Sequence, residues 1–299
     1  MILCVAANPS IDRLFEVERL VPGAIHRPAD FVQVAGGKGL NVARASASLG
    51  GRVQAAALLG GHAGRWIAEQ LEGEGIDLHA VWAAAETRSS LSVAGAIEDG
   101  LTEFYEHGFP VEGEEWSAFS ELVLRLAPSA GWTTVSGSLP AGAPADGYLP
   151  VVRSATVALD TREVGIEARP RVVKVNAEEA SGMVGRAVRT PADAAEAART
   201  LHEATGGAAI VTVGREGAVL VSPDGEPLTG RVDVAGRYPV GSGDAFLAGL
   251  VVALDAGSGW RDALALALGA ATANAEVPGA GVLDADRARA LADAALISP

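Results

Sequence analysis

The stretch Pro239-Val240-Gly241-Ser242-Gly243-Asp244-Ala245-Phe246 sets a carboxylate among residues suited to binding anions. Gly241 and Gly243 allow a tight turn that exposes backbone amides. Phe246, Leu247, Leu250, Val251 and Leu254 then recur at helical spacing, and Gly257 suits the helix end. A glycine turn at a helix N-terminus gathers unpaired N–H groups and the positive end of the helix dipole. A carboxylate at Asp244 would repel a phosphate bound there. It makes chemical sense if it takes a proton from a nucleophile beside that phosphate. The other reading is that Asp244 caps a buried helix. The stretch is neither GxxxxGK[ST] nor GxGxxG, because Phe246 stands where the third glycine belongs.

Composition limits what can reach that turn. The chain has 299 residues, 49% of them apolar, which suits one large α/β domain with a small appendage. Lys and Arg total 23 against 37 Asp and Glu, a formal charge of −14. That balance argues against nucleic acid or an anionic membrane as a partner. An anionic small molecule needs a local group of cations acting against the global field. The single Cys4 excludes an internal disulfide framework and suits the reducing cytoplasm. No basic segment precedes the first apolar run, and no apolar run is long enough to span a membrane. Five scattered histidines without HExxH or CxxC give no zinc site.

Short apolar runs at 2–7, 53–59, 76–82, 132–136, 156–160, 171–175 and 209–213 read as buried strands. Helical spacing predicts helices at 114–126, 192–204, 260–275 and 285–295, with others after Lys38 and Gly61 and from Glu178. Residues 219–221 and 232–234 are expected to pair as late strands. Residues 13–35 lack helical periodicity. Residues 91–97 alternate, Asp99-Gly100 is a hairpin signal, and 101–105 would return. These two segments, 13–35 and 88–108, are expected to form a small β lid on a core of 1–12, 36–87 and 109–299.

Strand ends carry the other candidates, since ligands of open α/β sheets bind outside the carboxyl ends of strands. Asn8 and Asp12 follow the first strand; turn chemistry explains Asn8 well and Asp12 less well. Gly36, Gly37 and Gly39 surround Lys38 ahead of Asn41, where backbone can approach a ligand and a cation can reach it. Arg88 lies where the chain leaves the core for the lid. Asn176 and Glu179 stand three apart and could share a hydrated cation, although acids in a first helical turn also complement the dipole.

Seven stretches occur in order: NPSID, GGKGLNVA, TR at 87–88, GSLPAG, the N-x-x-E of Asn176 and Glu179, VTVGREG and VGSGDAF. In this the chain resembles the PfkB (ribokinase-like) carbohydrate kinases, and its phosphosugar branch most. The resemblance implies a three-layer α/β/α core with a mostly parallel sheet and a small β lid. It implies ATP and Mg²⁺, a sugar phosphate as partner, and a homodimer through the lid. Asp244 matches the family's base, and the amides of Gly241, Ser242 and Gly243 its anion hole. Asp12, Gly37, Lys38, Asn41, Arg88 and Ser136 match sugar-side positions, with Lys38 and Arg88 the cations for a substrate phosphate. Lys174, Thr212, Gly214, Gly217 and Asn274 match the nucleotide side, Asn274 near the adenine. Asn176 and Glu179 would orient Mg²⁺ through water. The implied reaction phosphorylates a primary hydroxyl of fructose 1-phosphate or tagatose 6-phosphate. The alternatives are a kinase for a free sugar or nucleoside, and a non-catalytic sugar- or nucleotide-binding protein. The chain departs from the branch at Ser90, Phe104, Arg162 and Val175. These changes bear on the sugar more than on the chemistry.

Overall fold

The structure, a computed structural model, describes residues 1–28, 30–95, 101–108 and 110–299. The chain opens with β1 (Ile2–Ala6), β2 (Ser10–Val17) and β3 (Phe31–Gly36). Helix α1 (Lys38–Ser48) leads to β4 (Val53–Gly60), α2 (Gly61–Gly73) and β5 (Asp77–Ala83). Next come β6 (Arg88–Gly95), β7 (Leu101–Tyr105) and α3 (Gly113–Leu126). Strand β8 (Trp132–Ser136), α4 (Leu149–Ser154), β9 (Val157–Asp160) and β10 (Val172–Asn176) follow. Helices α5 (Ala177–Val184) and α6 (Pro191–Thr205) precede β11 (Ala208–Thr212). The chain closes with β12 (Ala218–Val221), β13 (Pro227–Arg231), α7 (Ser242–Asp255), α8 (Trp260–Glu276), α9 (Ala285–Asp293) and β14 (Leu296–Ser298).

Ten strands form the main sheet in the order β14-β13-β12-β11-β10-β9-β8-β1-β4-β5. From β11 to β5 all neighbours are parallel; β12, β13 and β14 add an antiparallel edge. Successive residues of one strand serve opposite faces. Ile2, Cys4 and Ala6 pack beside α1, α7, α8 and α9, whereas Leu3 and Val5 pack beside α3 and α4. Helices α5 and α6 cover that second face over β10 to β12. Burial on both faces explains why these strands read as unbroken apolar runs. Polar residues are left to the strand ends.

Helix starts follow local rules on the flanks. Glu112 and Glu115 form a reciprocal capping box at α3, and Thr190 and Asp193 form one at α6 with Pro191 in the first turn. Helix α7 differs. It is buried without a break from Asp244 to Val251 and runs through the middle of its layer against α8 and α1.

A separate four-stranded sheet, ordered β3-β2-β6-β7, is built from two distant chain segments. Tyr238, in the loop before α7, donates its hydroxyl to Glu16 on β2. The expected Asp99-Gly100 turn lies outside the described residues, though β6 and β7 on either side pair antiparallel. The late hairpin differs from expectation. Strand β12 pairs with β13 and not with 232–234, because the turn at Gly225 (φ +85°) sets Val221 opposite Pro227. Among the described residues no helix is long and apolar enough to cross a membrane.

Helix α1 lies very close to the first strand. A Cβ at Gly39 would stand 2.3 Å from the Val5 carbonyl oxygen and 2.8 Å from Ala6 Cα. Backbone cannot yield as a side chain can. Gly39→Ala should therefore destabilise the fold by about 1–3 kcal/mol. Urea denaturation checks it, an unchanged midpoint counting against this close approach.

Candidate active site

The carboxyl ends of the main sheet open into a cleft of about 1560 Å³, more than one small molecule needs and enough for two substrates side by side. Asp12, Gly37, Lys38, Asn41, Arg88, Ser136, Lys174, Asn176, Glu179, Thr212, Gly214, Gly217 and Gly241 to Asp244 all line it. They come from distant parts of the chain and meet because parallel strands end together.

Asp244 is the third residue of α7. Helix α7 has Gly241 as its N-cap, and no side chain caps it, so the capping reading fails. The Asp244 carboxylate is 5% exposed, and Asn41 Nδ2 donates to its Oδ2 at 2.8 Å. Burial pushes Asp244 up to about 6; Lys38, the Asn41 bond and Lys174 oppose the rise, and Asp160 adds to it. A carboxylate tuned there is still ionised at neutral pH and accepts a proton more readily than an exposed one.

The turn itself corrects the expected donor set. The Ser242 amide donates to the Pro239 carbonyl at 3.1 Å, closing the turn, and its hydroxyl is buried without a partner among the described residues. The amides of Gly241, Gly243 and Asp244 have no acceptor among the described residues and are the ones free to meet an anion. Lys174 Nζ lies 3.1 Å from where a Gly243 Cβ would be, so its ammonium adds positive charge beside those amides.

Lys174 is held by a residue that motif reading passed over. Asp160, 1% exposed at the end of β9, accepts from Lys174 Nζ at 2.7 Å and from Lys38 Nζ at 3.3 Å. Burial would raise the Asp160 pKa, but Lys174 and Lys38 hold it below the ordinary carboxylate range. The signal was present in VVKVN: a lysine among valines in a buried strand must find a carboxylate.

Lys38 is placed differently from its expected role. Its Nζ sits between Asp160 and Glu179, the latter at 3.8 Å. Burial works to lower its pKa, but Asp160, Asp244 and Glu179 outweigh that and raise it. Its charge therefore belongs to the reacting end of the cleft, not to the far end of a sugar.

Arg88 lines the cleft at the start of β6. Its Nε donates to Asn8 Oδ1 at 3.0 Å, and Nη1 and Nη2 donate to the carbonyls of Glu106 and Asn8, both at 3.2 Å. All three acceptors are neutral, and among the described residues no carboxylate pairs with it. Partial burial lowers its pKa without discharging it. Asp12 is held rigidly beside it. Ser10, Ser90 and the Gly37 amide all donate to its carboxylate, at 2.5, 2.6 and 3.1 Å. Ser136 is 3% exposed, and its hydroxyl has no partner among the described residues.

Asn176 and Glu179 form a reciprocal capping box at α5, each bonding the other's backbone amide. This uses Asn176 Oδ1 and Glu179 Oε2 and leaves Glu179 Oε1 turned toward Lys38 and Arg162. Among the described residues no group of three His, Cys, Asp or Glu side chains could cage a metal. The donor set fits a hydrated divalent ion that takes most of its ligands from water and phosphate.

Asn274 is not a cleft residue. It is fully buried, and its amide serves Gly279 and Gly281. On that helix Ala271, Thr272 and Ala275 face the cleft, one turn apart on the neighbouring stripe.

Residues 2–286 match the pfkB family carbohydrate kinase. The chain is 33% identical over 287 residues to a 1-phosphofructokinase of Haloferax volcanii, covering 94% of this chain and 92% of that one. Among solved structures it is similar to phosphofructokinase-2 of Escherichia coli in complex with substrates and products. The TM-score there is 0.89 at 23% identity, over 98% of each chain. It is also similar to Arabidopsis thaliana ribokinase complexed with ribose and ATP. That match has a TM-score of 0.75 at 21% identity, over 97% of this chain and 98% of that one. The chain belongs to the pfkB family of carbohydrate kinases. It is an ATP-dependent sugar kinase with the ribokinase-like fold.

The position of Asp244 has a consequence for stability. Its folded pKa lies above the unfolded value, so its contribution is fully present below about 4 and is lost as pH rises through about 6. A shift of about two units corresponds to about 3 kcal/mol. Asp244→Asn should therefore gain stability over the parent between pH 4 and pH 7 by up to that amount. Denaturant melts at both pH values measure it, and a constant difference would contradict the raised pKa.

Proposed function

We propose that the chain transfers the γ-phosphoryl group of ATP to a primary hydroxyl of a ketohexose monophosphate, giving the bisphosphate. Fructose 1-phosphate is the first choice, supported by the Haloferax volcanii relative's name, with tagatose 6-phosphate second. The observation that carries the reading is the Arg88 guanidinium at the small-sheet side of the cleft, bonded to neutral acceptors and in no ion pair among the described residues. In a chain of charge −14, a cation left without a carboxylate suits a dianionic group of the substrate.

The substrate's own phosphate would sit at Arg88, with Asn8 and Ser138 beside it. Asp12 and Asn41 would accept or donate to the sugar hydroxyls. That orientation leaves a primary hydroxyl facing Asp244 Oδ1, the oxygen not held by Asn41. The hydroxyl oxygen forms a bond to the γ-phosphorus while the bond from that phosphorus to the β,γ-bridging oxygen breaks. The proton passes to Asp244, and ADP leaves with the bridging oxygen. The amides of Gly241, Gly243 and Asp244, backed by Lys174, would meet the charge on the phosphoryl oxygens, and Lys38 would reach it from the other side. Mg²⁺, when bound near Asn176 and Glu179, would supply charge neutralisation at the phosphates.

The small sheet is read as a lid. Asp12, Glu103 and Tyr105 face the cleft, while Phe31 and Phe104 on the outer face are 61% and 55% exposed. An apolar outer face of this kind suits a second copy of the chain. Sedimentation of the parent and of Phe31→Asp/Phe104→Asp should show a dimer and a monomer respectively. A monomeric parent would exclude that use of the face.

Steady-state kinetics with Mg-ATP test the reaction. Asp244→Asn should lower kcat about 10³-fold or more, equivalent to about 4 kcal/mol of barrier, with nucleotide affinity little changed. Arg88→Ala should raise KM for the phosphosugar far more than KM for ATP. If the parent prefers free ketohexoses, or Arg88→Ala leaves the phosphosugar KM unchanged, a ribokinase-like substrate takes its place.

A further inference from the structure

The segment Gly279-Ala280-Gly281 lies outside the cleft lining, yet it packs against two elements of the site and is bonded by two side chains. Toward α7, a Cβ at Gly241 would come within 2.6 Å of both Ala280 Cα and Gly281 N. The segment is thus the seat of the anion-binding turn. Toward α1, a Cβ at Gly281 would lie 2.5 Å from the Asn41 carbonyl oxygen. Asn41 is the residue that orients Asp244. The segment therefore stands as a wedge between the turn that offers the amides and the helix that aims the carboxylate.

Two buried side chains hold the wedge. Asn274 donates from Nδ2 to the Gly279 carbonyl at 3.1 Å and accepts from the Gly281 amide at 3.3 Å. Arg44, 6% exposed, donates from Nη1 to the Ala280 carbonyl at 3.1 Å. Its Nη2 binds the Ala35 carbonyl at the end of β3, and its Nε binds Glu74 at 2.9 Å. Each polar atom of the Asn274 amide has a backbone partner, so the side chain has one geometry and the wedge has one position.

We propose that Asn274 and Arg44 are positioning residues for phosphoryl transfer. They act through residues 279–281 by fixing the Gly241 turn relative to Asn41 and Asp244, and Asn274 makes no nucleotide contact. The mechanism rests on Asp244 as base and on the turn as anion hole. A small displacement of prepositioned donors lowers the rate much more than it weakens ground-state binding. A contact to the nucleotide would show the reverse pattern.

The experiment compares parent, Asn274→Ala, Ala280→Gly and Asp244→Asn, each as the full chain. It combines steady-state kinetics with calorimetric binding of ADP. Asn274→Ala should lower kcat about tenfold or more while KM for ATP and Kd for ADP stay within about threefold. Ala280→Gly keeps every hydrogen bond and removes only the methyl that presses on the turn. It should lower kcat in the same direction by a smaller factor, and it decides the matter should Asn274→Ala not fold. Unchanged kcat in the folded variants would overturn the proposal. So would a preserved kcat with ADP binding weakened about tenfold, since that is the pattern of a nucleotide contact. Asp244→Asn separates the two levels. If it keeps its activity the catalytic reading fails; if it is inactive while Asn274→Ala is fully active, only the positioning role fails.

Discussion

The site depends on one buried ion pair. Asp160, at the end of β9, and Lys174, within the adjacent β10, are 1% and 4% exposed and lie 2.7 Å apart. Neither charge is tolerable there alone, because removing one partner leaves the other without solvent or counter-ion. The pair also does more than neutralise itself. The second oxygen of Asp160 draws Lys38 into the cleft, and the ammonium of Lys174 stands beside the first turn of α7. Asp160 further raises the pKa of Asp244 by like charge, while the two lysines keep it from rising more. The charges around the reacting centre thus form one balanced set.

That balance is possible because of where a doubly covered parallel sheet leaves room for polarity. Both faces of β1, β8, β9 and β10 are packed, so a charge within a strand needs a buried partner, as Lys174 has in Asp160. The ends meet the N-termini of α1 and α7, where glycine replaces a capping side chain in each case. A serine or aspartate cap would satisfy the very amides that must stay open. At α3, α5 and α6, by contrast, capping boxes close the helix starts.

Much of this was legible in the residues. Unbroken apolar runs placed the central strands, and alternation placed the small sheet, because each pattern follows from how many faces are buried. The glycine turn before Phe246 located Asp244 in the cleft. What escaped depended on partners far apart in sequence. Lys38 looked like a sugar-side cation because Asp160 is 122 residues away and its pull cannot be read locally. Asn274 was placed near the adenine by the family resemblance, which does not tell which of two neighbouring stripes of α8 faces the cleft. Ser242 was counted as an open amide because the turn that occupies it is set by the Pro239 carbonyl. The β13 strand was misplaced because the turn at Gly225, not the valines beyond it, decides the register.

Helix α7 carries the candidate base at one end and the middle of the hydrophobic layer along the rest of its length. The amides from Phe246 to Val251 lie in the packed interior, whereas the first turn opens to the cleft at Gly243. Exchange of those hydrogens with water requires the whole core to open. The small sheet sits at the other extreme, with two apolar side chains in solvent and chain crossings to the core at either end. The molecule therefore divides its local stabilities sharply. The candidate base shares the stability of the core, whereas the small sheet turns Phe31 and Phe104 to solvent.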